Sequence, residues 1–189
     1  MKKFELTSET KINIFGKKLF RIKALISFGN VEAGETGGWV EKEENVNQSG
    51  DAWVFGNAEV FGNARVFGNA WAFGNARVFD NARVFDNAWV FGNAEVFGNA
   101  RVSGNAWVSG NAWVSGNADY ATIHGFGTQF RTTTFFRCKD KQVKVSCGCF
   151  YGTIPEFREQ VKNTRKGKIA EEYLMIADLM EKHFAEEAK

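Results

Sequence analysis

Residues 52–57 read Ala-Trp-Val-Phe-Gly-Asn, and variants of this six-residue unit follow one another as far as Asn117. Every unit carries alanine at its first position and, except for Ala72, valine at its third. Because residues two apart lie on one side of a strand, the alanine and the valine are predicted to point inward together. The Gly-Asn pair, which becomes Asp-Asn at Asp80 and Asp86, tolerates positive φ and therefore predicts a sharp corner after each strand.

Three such units, each a strand and a corner, close one triangular coil, so that successive coils stack as parallel sheets. The pattern resembles the hexapeptide-repeat left-handed β-helix family, in which a small residue stands two positions before an aliphatic one. The resemblance implies a mainly β fold with a left-handed parallel β-helix over residues 46–128. The chain departs from the family pattern after the aliphatic residue, where Phe or Ser replaces the usual small residue, as at Phe55.

Residues 1–45 precede the regular repeat and are predicted to form an N-terminal β hairpin cap. Residues 11–15 and 19–22 are typical of strands, and they flank a turn at residues 16–18. Residues 25–51 keep only traces of the repeat. We expect them to form an atypical first coil, since a stacked solenoid needs its ends closed.

Residues 129–189 follow the repeat and are predicted to form a small C-terminal α+β module. Residues 132–137 and 142–147 are typical of a hairpin. A proline in the first turn favours a helix over residues 155–163, and residues 168–187 place apolar side chains along one helical stripe. The sequence leaves open whether this module docks on the β-helix.

The side chains before and after each valine are predicted to point outward, in columns that take one residue from every third unit. One face, the aromatic face, carries two such columns: Trp53, Trp71, Trp89 and Trp107, beside Phe55, Phe73 and Phe91. Exposed apolar patches of this extent are uncommon on monomers. We therefore expect this face to bind a protein partner, first of all another copy of the chain in a homo-oligomer. Carbohydrate or nucleobase stacking is the alternative.

The other two faces are charged. The mixed-charge face stacks Glu59, Arg77 and Glu95, with Phe61, Phe79 and Phe97 beside them. Its alternating signs stabilise neighbouring strands, so it needs no partner. The arginine face stacks Arg65, Arg83, Arg101 and then Asp119, with Phe67 and Phe85 beside them.

Arginines stacked about 5 Å apart repel one another unless an anion joins them. One hypothesis is a binding site for phosphate, a nucleotide or an acidic protein surface, with Phe67 and Phe85 supporting a stacked base. The alternative is that Asp80, Asp86, the acidic run at residues 41–44 or solvent neutralises the column.

The family resemblance raises an enzymatic possibility, a hexapeptide acyltransferase, which needs a base such as histidine near a cleft. This chain has two histidines, and His124 lies just past the last coil, where a structural role is expected. No inserted loop interrupts the repeat, so we predict no catalytic residue and no cofactor. Cys138, Cys147 and Cys149 could hold zinc with His183. However, the usual Cys-x-x-Cys spacing is absent, and we expect buried thiols instead of a metal site.

The net charge of +2 provides no strong field, so neither extended nucleic acid nor a membrane is an expected partner. The cysteine usage and an N-terminus without an apolar segment favour the cytoplasm. Residues 34–54 and 145–157 resemble hexapeptide-repeat proteins of phages and prophages, a group without a settled activity, which implies expression in a bacterial host cell. We therefore predict a non-enzymatic binding or scaffold protein. The alternative is a counter-defence inhibitor that binds a host protein or sequesters a nucleotide signal.

Overall fold

The computed structural model describes residues 2–185. Three strands precede the repeat: β1 (Phe4–Ile12), β2 (Lys18–Ala24) and β3 (Thr36–Val40). The repeat forms two-residue strands: β4 (Trp53–Val54), β5 (Glu59–Val60), β6 (Arg65–Val66), β7 (Trp71–Ala72), β8 (Arg77–Val78), β9 (Arg83–Val84), β10 (Trp89–Val90), β11 (Glu95–Val96), β12 (Arg101–Val102), β13 (Trp107–Val108) and β14 (Trp113–Val114). The C-terminal elements are β15 (Tyr120–Phe126), β16 (Arg131–Arg137), β17 (Val143–Cys147), β18 (Phe150–Thr153), α1 (Ile154–Thr164) and α2 (Gly167–Phe184).

The repeat builds a parallel β-solenoid of about four turns. Each strand pairs with the strand three places later, which gives the stacks β4-β7-β10-β13, β5-β8-β11-β14 and β6-β9-β12. The inward alanines and valines, from Ala52 to Val114, are all 0% exposed. The prediction of a mainly β parallel solenoid with Ala and Val inside is therefore confirmed. Small side chains are needed there, because larger ones would not fit so narrow a coil without strain.

The corners turn through residues with positive φ, as the Gly-Asn pairs predicted. Gly92 has φ +72°, and Asp80 and Asp86 adopt φ of 58° and 59° in the same role. The following asparagines stack along the solenoid and donate to one another: Asn69 Nδ2 lies 3.1 Å from Asn87 Oδ1. These side-chain ladders fix the register of successive coils.

The N-terminal hairpin joins the solenoid through β3. β1 and β2 are antiparallel, β2 pairs with β3, and β3 runs parallel to β5. A Cβ on Gly38 would lie 2.6 Å from Val54 Cγ1 and 2.8 Å from the Ala58 oxygen. Glycine is therefore required where β3 crosses the first coil at this close approach.

The first hairpin strand differs from the prediction of residues 11–15. β1 instead spans Phe4–Ile12, and residues 13–17 form the turn. The cause is Asn13, whose Oδ1 accepts hydrogen bonds from the backbone N–H groups of Phe15 and Lys17. This side-chain turn ends the strand before Ile14 and Phe15, and it competes with the β propensity of both residues.

The C-terminal module is a four-stranded antiparallel sheet, β15-β16-β17-β18, packed against α1 and α2. The predicted hairpin corresponds to β16 and β17, whereas β15 and β18 were missed. Because β15 pairs with β16, the parallel coils end at Val114, earlier than the predicted boundary at residue 128. The α2 helix ends at Phe184, and residues 186 and 187 of the predicted helix lie outside the described residues.

The module docks on the last coil of the solenoid. Phe136 and Cys138 are buried in the same core as the solenoid valines. The Trp107 backbone N–H donates to Thr134 Oγ1 at 3.0 Å. In addition, Lys139 Nζ lies 2.6 Å from Glu95 Oε1. Within residues 2–185, neither helix combines the length and the apolar character needed to cross a membrane.

Candidate binding faces

The mixed-charge face is an ion-pair ladder closed at both ends. Arg77 lies between Glu59 and Glu95, at N–O distances of 3.9 and 3.0 Å. Lys11 of the hairpin pairs with Glu59 at 2.7 Å, and Lys139 of the module pairs with Glu95 at 2.6 Å. The face therefore satisfies its own charges, which agrees with the structural role predicted from their alternating signs.

The phenylalanine column of the mixed-charge face is also covered. Phe61, Phe79 and Phe97 stack with centroids 5.1 and 5.0 Å apart. Phe15 of the hairpin turn packs on this column from outside, and Trp113 packs edge-on against Phe97 at 4.7 Å. Chain segments from both ends thus occupy this face.

The aromatic face carries regular ring stacks along the middle of the solenoid. Trp71 and Trp89 are 5.2 Å apart with an interplanar angle of 4°, and Trp89 and Trp107 are 5.0 Å apart at 3°. Phe73 and Phe91 stack at 4.8 Å and 1° beside them. All five side chains are half-buried, so their columns cover much of their own apolar surface.

The ring geometry of the aromatic face disfavours flat stacking of a sugar or a base. Parallel rings with centroids only about 5 Å apart overlap face to face. Side-by-side rings that present a flat platform would collide at that spacing. The faces of the Trp89 ring are therefore taken up by Trp71 and Trp107, and mainly ring edges remain for a partner.

Trp53 does not belong to the exposed part of the aromatic face. Its side chain is 0% exposed and makes edge contacts with Phe4 at 5.7 Å and Phe28 at 5.3 Å. Phe55 remains half-buried and contacts Trp71 edge-on at 5.2 Å. The repeat pattern places Trp53 in the outward column, but the N-terminal segment covers it. Trp53 is thus out of reach of a partner.

The C-terminal module borders the opposite end of the aromatic face. A cavity of about 430 Å³ separates Phe91 and Trp107 from Cys149, Phe150 and Tyr151. Ser109 at this border is 4% exposed, as expected if the module replaces the phenylalanine of earlier coils. The free part of the face therefore comprises Trp71, Trp89, Trp107, Phe73 and Phe91.

The arginine face carries three exposed arginines in direct register. Arg65 pairs with Arg83 across the β6–β9 ladder, and Arg83 pairs with Arg101 across β9–β12. Within residues 2–185, none of these guanidinium groups lies within 4.0 Å of a carboxylate oxygen. The column therefore keeps its like charges uncompensated by the described part of the chain.

The acidic residues that could neutralise this column mostly have other partners. The carboxylates of Asp80 and Asp86 accept hydrogen bonds from the backbone N–H groups of Gly98 and Gly104, at 3.3 and 3.1 Å. Within the acidic run, the Glu41 carboxylate accepts a hydrogen bond from the Gly62 N–H at 2.6 Å. The Glu43 carboxylate pairs with Lys2 Nζ at 2.7 Å.

Asp119 does not continue the arginine column. It lies in a short 3-10 turn at residues 117–119, where its carboxylate accepts the Ser115 N–H at 2.8 Å and pairs with Arg137 at 3.6 Å. The column therefore ends at Arg101, whose guanidinium lies 5.7 Å from the centre of the Phe85 ring. The prediction that Asp119 continues the column is therefore wrong, because the chain leaves the coil in this 3-10 turn.

A cavity of about 510 Å³ opens at the N-terminal end of the arginine face. Its lining consists of Glu43, Glu44, Val46, Asn47, Gln48, Arg65, Val66, Phe67 and Arg83. Phe67 stacks on Phe85 at 4.9 Å and 1°. The sequence predicted the arginines and phenylalanines of this region, but it gave no signal for the cavity.

The cysteines and His183 do not form the zinc set considered from the sequence. Cys138 is buried in the solenoid core and Cys147 is half-buried against the module core, but Cys149 is exposed, so the expectation of buried thiols is wrong for Cys149. The described residues contain no group of three or more potential metal ligands. His124 lies on the exposed strand β15, where its Nδ1 is 3.2 Å from Thr132 Oγ1.

Comparison with known families agrees with the fold. A family model described as the YdcK beta solenoid repeat matches residues 76–92 and 94–110. Both segments lie inside the parallel solenoid, and the match supports a repeat β-helix protein. No curated protein matches the chain.

Proposed function

We propose that this chain is a non-enzymatic binding or scaffold protein that self-associates through its aromatic face. The observation that carries the proposal is the run of half-buried ring stacks at Trp71, Trp89 and Trp107, with Phe73 and Phe91 beside them. The hairpin and the module occupy the ends of this face and leave its middle free.

A second copy of the chain suits this face on electrostatic grounds. The outward positions of β4, β7, β10 and β13 are tryptophans, followed by phenylalanine or serine, so the face carries no charge. An uncharged face meets its own copy without repulsion, whereas two arginine faces would place like charges together. Self-association by a two-fold operation then brings ring edges against ring edges.

The dimensions of the face predict weak association. The three strands of the free part, β7, β10 and β13, lie at a spacing of about 4.8 Å, and with roughly five residues across at about 3.3 Å each they give an area of about 240 Å². A stable interface buries about 800 Å² per partner. We therefore expect a concentration-dependent oligomer with a Kd on the order of 10 µM or weaker.

The test is the mass in solution of Trp89→Glu against that of the native chain. Glutamate already occupies the equivalent repeat position at Glu59 and Glu95, so the fold should tolerate it. The matched control is Trp113→Glu, because Trp113 is 39% exposed but lies on the mixed-charge face. We expect Trp89→Glu to be monomeric and Trp113→Glu to associate like the native chain. Equal association of all three proteins would refute the proposal.

We further propose the finer features that the resemblance implies. These are a left-handed coil, a capping role for the N-terminal hairpin, and a phage or prophage protein of the hexapeptide-repeat type in the cytoplasm of a bacterial host. The contact of β3 with the first coil supports the capping role. Deletion of residues 2–24 should then expose Trp53 and shift the combined emission of the six tryptophans to longer wavelength. An unchanged spectrum would contradict the capping role.

A second candidate function is counter-defence, by binding a host protein or sequestering a nucleotide signal. The specific observation in its favour is the uncompensated column of Arg65, Arg83 and Arg101. The corresponding test is binding to an anionic partner before and after charge reversal of all three arginines. Retained binding would exclude the column from this function.

A further inference from the structure

The cavity at the N-terminal end of the arginine face combines a positive edge with an aromatic wall. Its volume of about 510 Å³ falls within the range of about 300–1,000 Å³ that is usual for small-molecule sites. Arg65 and Arg83 line it, whereas Arg101 lies outside. The cavity therefore offers two of the three column cations to one ligand.

The two arginines are free to bind an anion. Both side chains are exposed, and neither forms an ion pair or a side-chain hydrogen bond with the described part of the chain. Their strands are direct neighbours in the β6–β9 ladder, so the two side chains leave the sheet about 4.8 Å apart. Two planar, permanently charged donors at that spacing suit the oxygens of a phosphate group.

The aromatic wall has one ring face without an aromatic neighbour, here called the open face. Phe85 covers one side of the Phe67 ring, at 4.9 Å and 1°. On the other side the next position in the column is Asn47, because Val46 pairs with Val66 and the Asn47 N–H donates to the Val66 oxygen. No ring from the column therefore continues the stack into the cavity. A planar heteroaromatic ring in this place would extend the stack by one member.

The remaining polar groups leave one carboxylate for the ligand. Gln48 is held by the N-terminal strand, since its Oε1 accepts the Lys3 N–H at 2.8 Å. Glu43 is held by Lys2 at 2.7 Å. Glu44 is exposed and forms no ion pair with a described residue. Its carboxylate is placed to accept from ribose hydroxyls or a base amino group.

We propose that this cavity binds a nucleotide, with the base on the open face of Phe67 and the phosphate between Arg65 and Arg83. A free inorganic anion would use only the arginines, and an acidic peptide would use Phe67 only if it also carried an aromatic side chain in the right place. A nucleotide uses both features. The site goes beyond self-association through the aromatic face, from which it is separate, and it deepens the second candidate function by naming the place where a nucleotide signal would bind.

The experiment is calorimetric titration of the full chain with AMP, adenosine and pyrophosphate. The variants are Arg65→Gln, Arg83→Gln and Phe67→Ser, and the matched control is Arg101→Gln on the same column outside the cavity. The repeat already carries Ser103 at the position equivalent to Phe67, so the serine is compatible with the coil. Thermal unfolding of each variant verifies that it is folded before titration.

We expect the native chain to bind AMP more tightly than adenosine or pyrophosphate. Loss of either cavity arginine should weaken AMP about tenfold or more, the usual effect of losing a charged hydrogen bond. Phe67→Ser should weaken AMP and adenosine but leave pyrophosphate unchanged, and Arg101→Gln should bind as the native chain does.

Three results would overturn the proposal. The first is no AMP binding at about 5 mM, a concentration sufficient for even weak millimolar sites. The second is an equal loss in Arg101→Gln, which would assign the effect to the general charge of the face. The third is AMP affinity unaffected by Phe67→Ser, which would leave an anion site only. Trp89→Glu should retain AMP binding, so failure of self-association and failure of this site are distinguishable.

Discussion

Glu95 joins the solenoid to the C-terminal module, and its replacement by glutamine tests that junction. The Glu95 side chain is only 5% exposed, and its Oε1 accepts from Arg77 at 3.0 Å and from Lys139 at 2.6 Å. Glutamine keeps the shape but replaces a charged acceptor with a neutral one in two hydrogen bonds from cationic donors, at a loss of about 1 kcal/mol each. Because both cations are partly exposed, solvent limits their mutual repulsion. We expect the free energy of unfolding to fall by about 2 kcal/mol.

The assay is urea denaturation followed by tryptophan fluorescence, with Glu43→Gln as the control. Glu43 pairs with Lys2, which is 60% exposed, so its replacement should cost about 0.5 kcal/mol or less. A double-mutant cycle of Glu95→Gln with Lys139→Met should give a coupling energy of about 1 kcal/mol. If Glu95→Gln lowers the free energy of unfolding no more than Glu43→Gln does, or if the cycle is additive, Glu95 does not stabilise the contact between the solenoid and the module.

Three further predictions follow from single residues. Burial raises the pKa of the Cys138 thiol to about 11, with Asp140 adding to the effect, so at pH 8 a thiol reagent should modify exposed Cys149 and leave Cys138 unmodified; equal rates in the folded protein would contradict this. Burial lowers the pKa of Lys3 to about 8 against the opposing effect of Asp51, so the unfolded chain binds more protons than the folded chain between about pH 8 and 10.5. The free energy of unfolding should therefore rise with pH across that window relative to Lys3→Met, and parallel pH profiles of the two proteins would refute this prediction. Gly92→Ala places a Cβ at φ +72° and 2.9 Å from the Gly110 nitrogen, and it should lower the free energy of unfolding by about 2 kcal/mol. In Gly104→Ala the added Cβ would have no neighbouring atom within 4 Å, so the loss should be only about 1 kcal/mol, and equal losses in chemical denaturation would reject the steric argument.

The solenoid was predictable because its determinants are local and repeated. Alanine and valine two residues apart, followed by Gly-Asn, dictate an inward pair and a corner in every coil, and Asp80 and Asp86 only change the residue that adopts positive φ. The same spacing predicted the Glu59–Arg77–Glu95 ladder. In each case, one residue type meets the same environment again one coil later.

The features missed from the sequence depend on contacts between distant segments. Trp53 reads as an outward residue, but Phe4 and Phe28 bury it from the N-terminal segment. Asp119 keeps the column spacing, yet its carboxylate folds back onto Ser115. β15 follows the last coil after only a short 3-10 turn, and its pairing with β16 assigns it to the module. Periodicity carries no information about such contacts.

The proposed self-association joins two copies of this chain through the aromatic face. Sedimentation equilibrium of the native protein across a concentration series from about 5 to 500 µM tests it most directly, since that range brackets the affinity expected for a small interface. Self-association predicts an average mass that rises from 21.2 kDa toward a multiple of it as concentration increases. A mass that stays at 21.2 kDa throughout would contradict it.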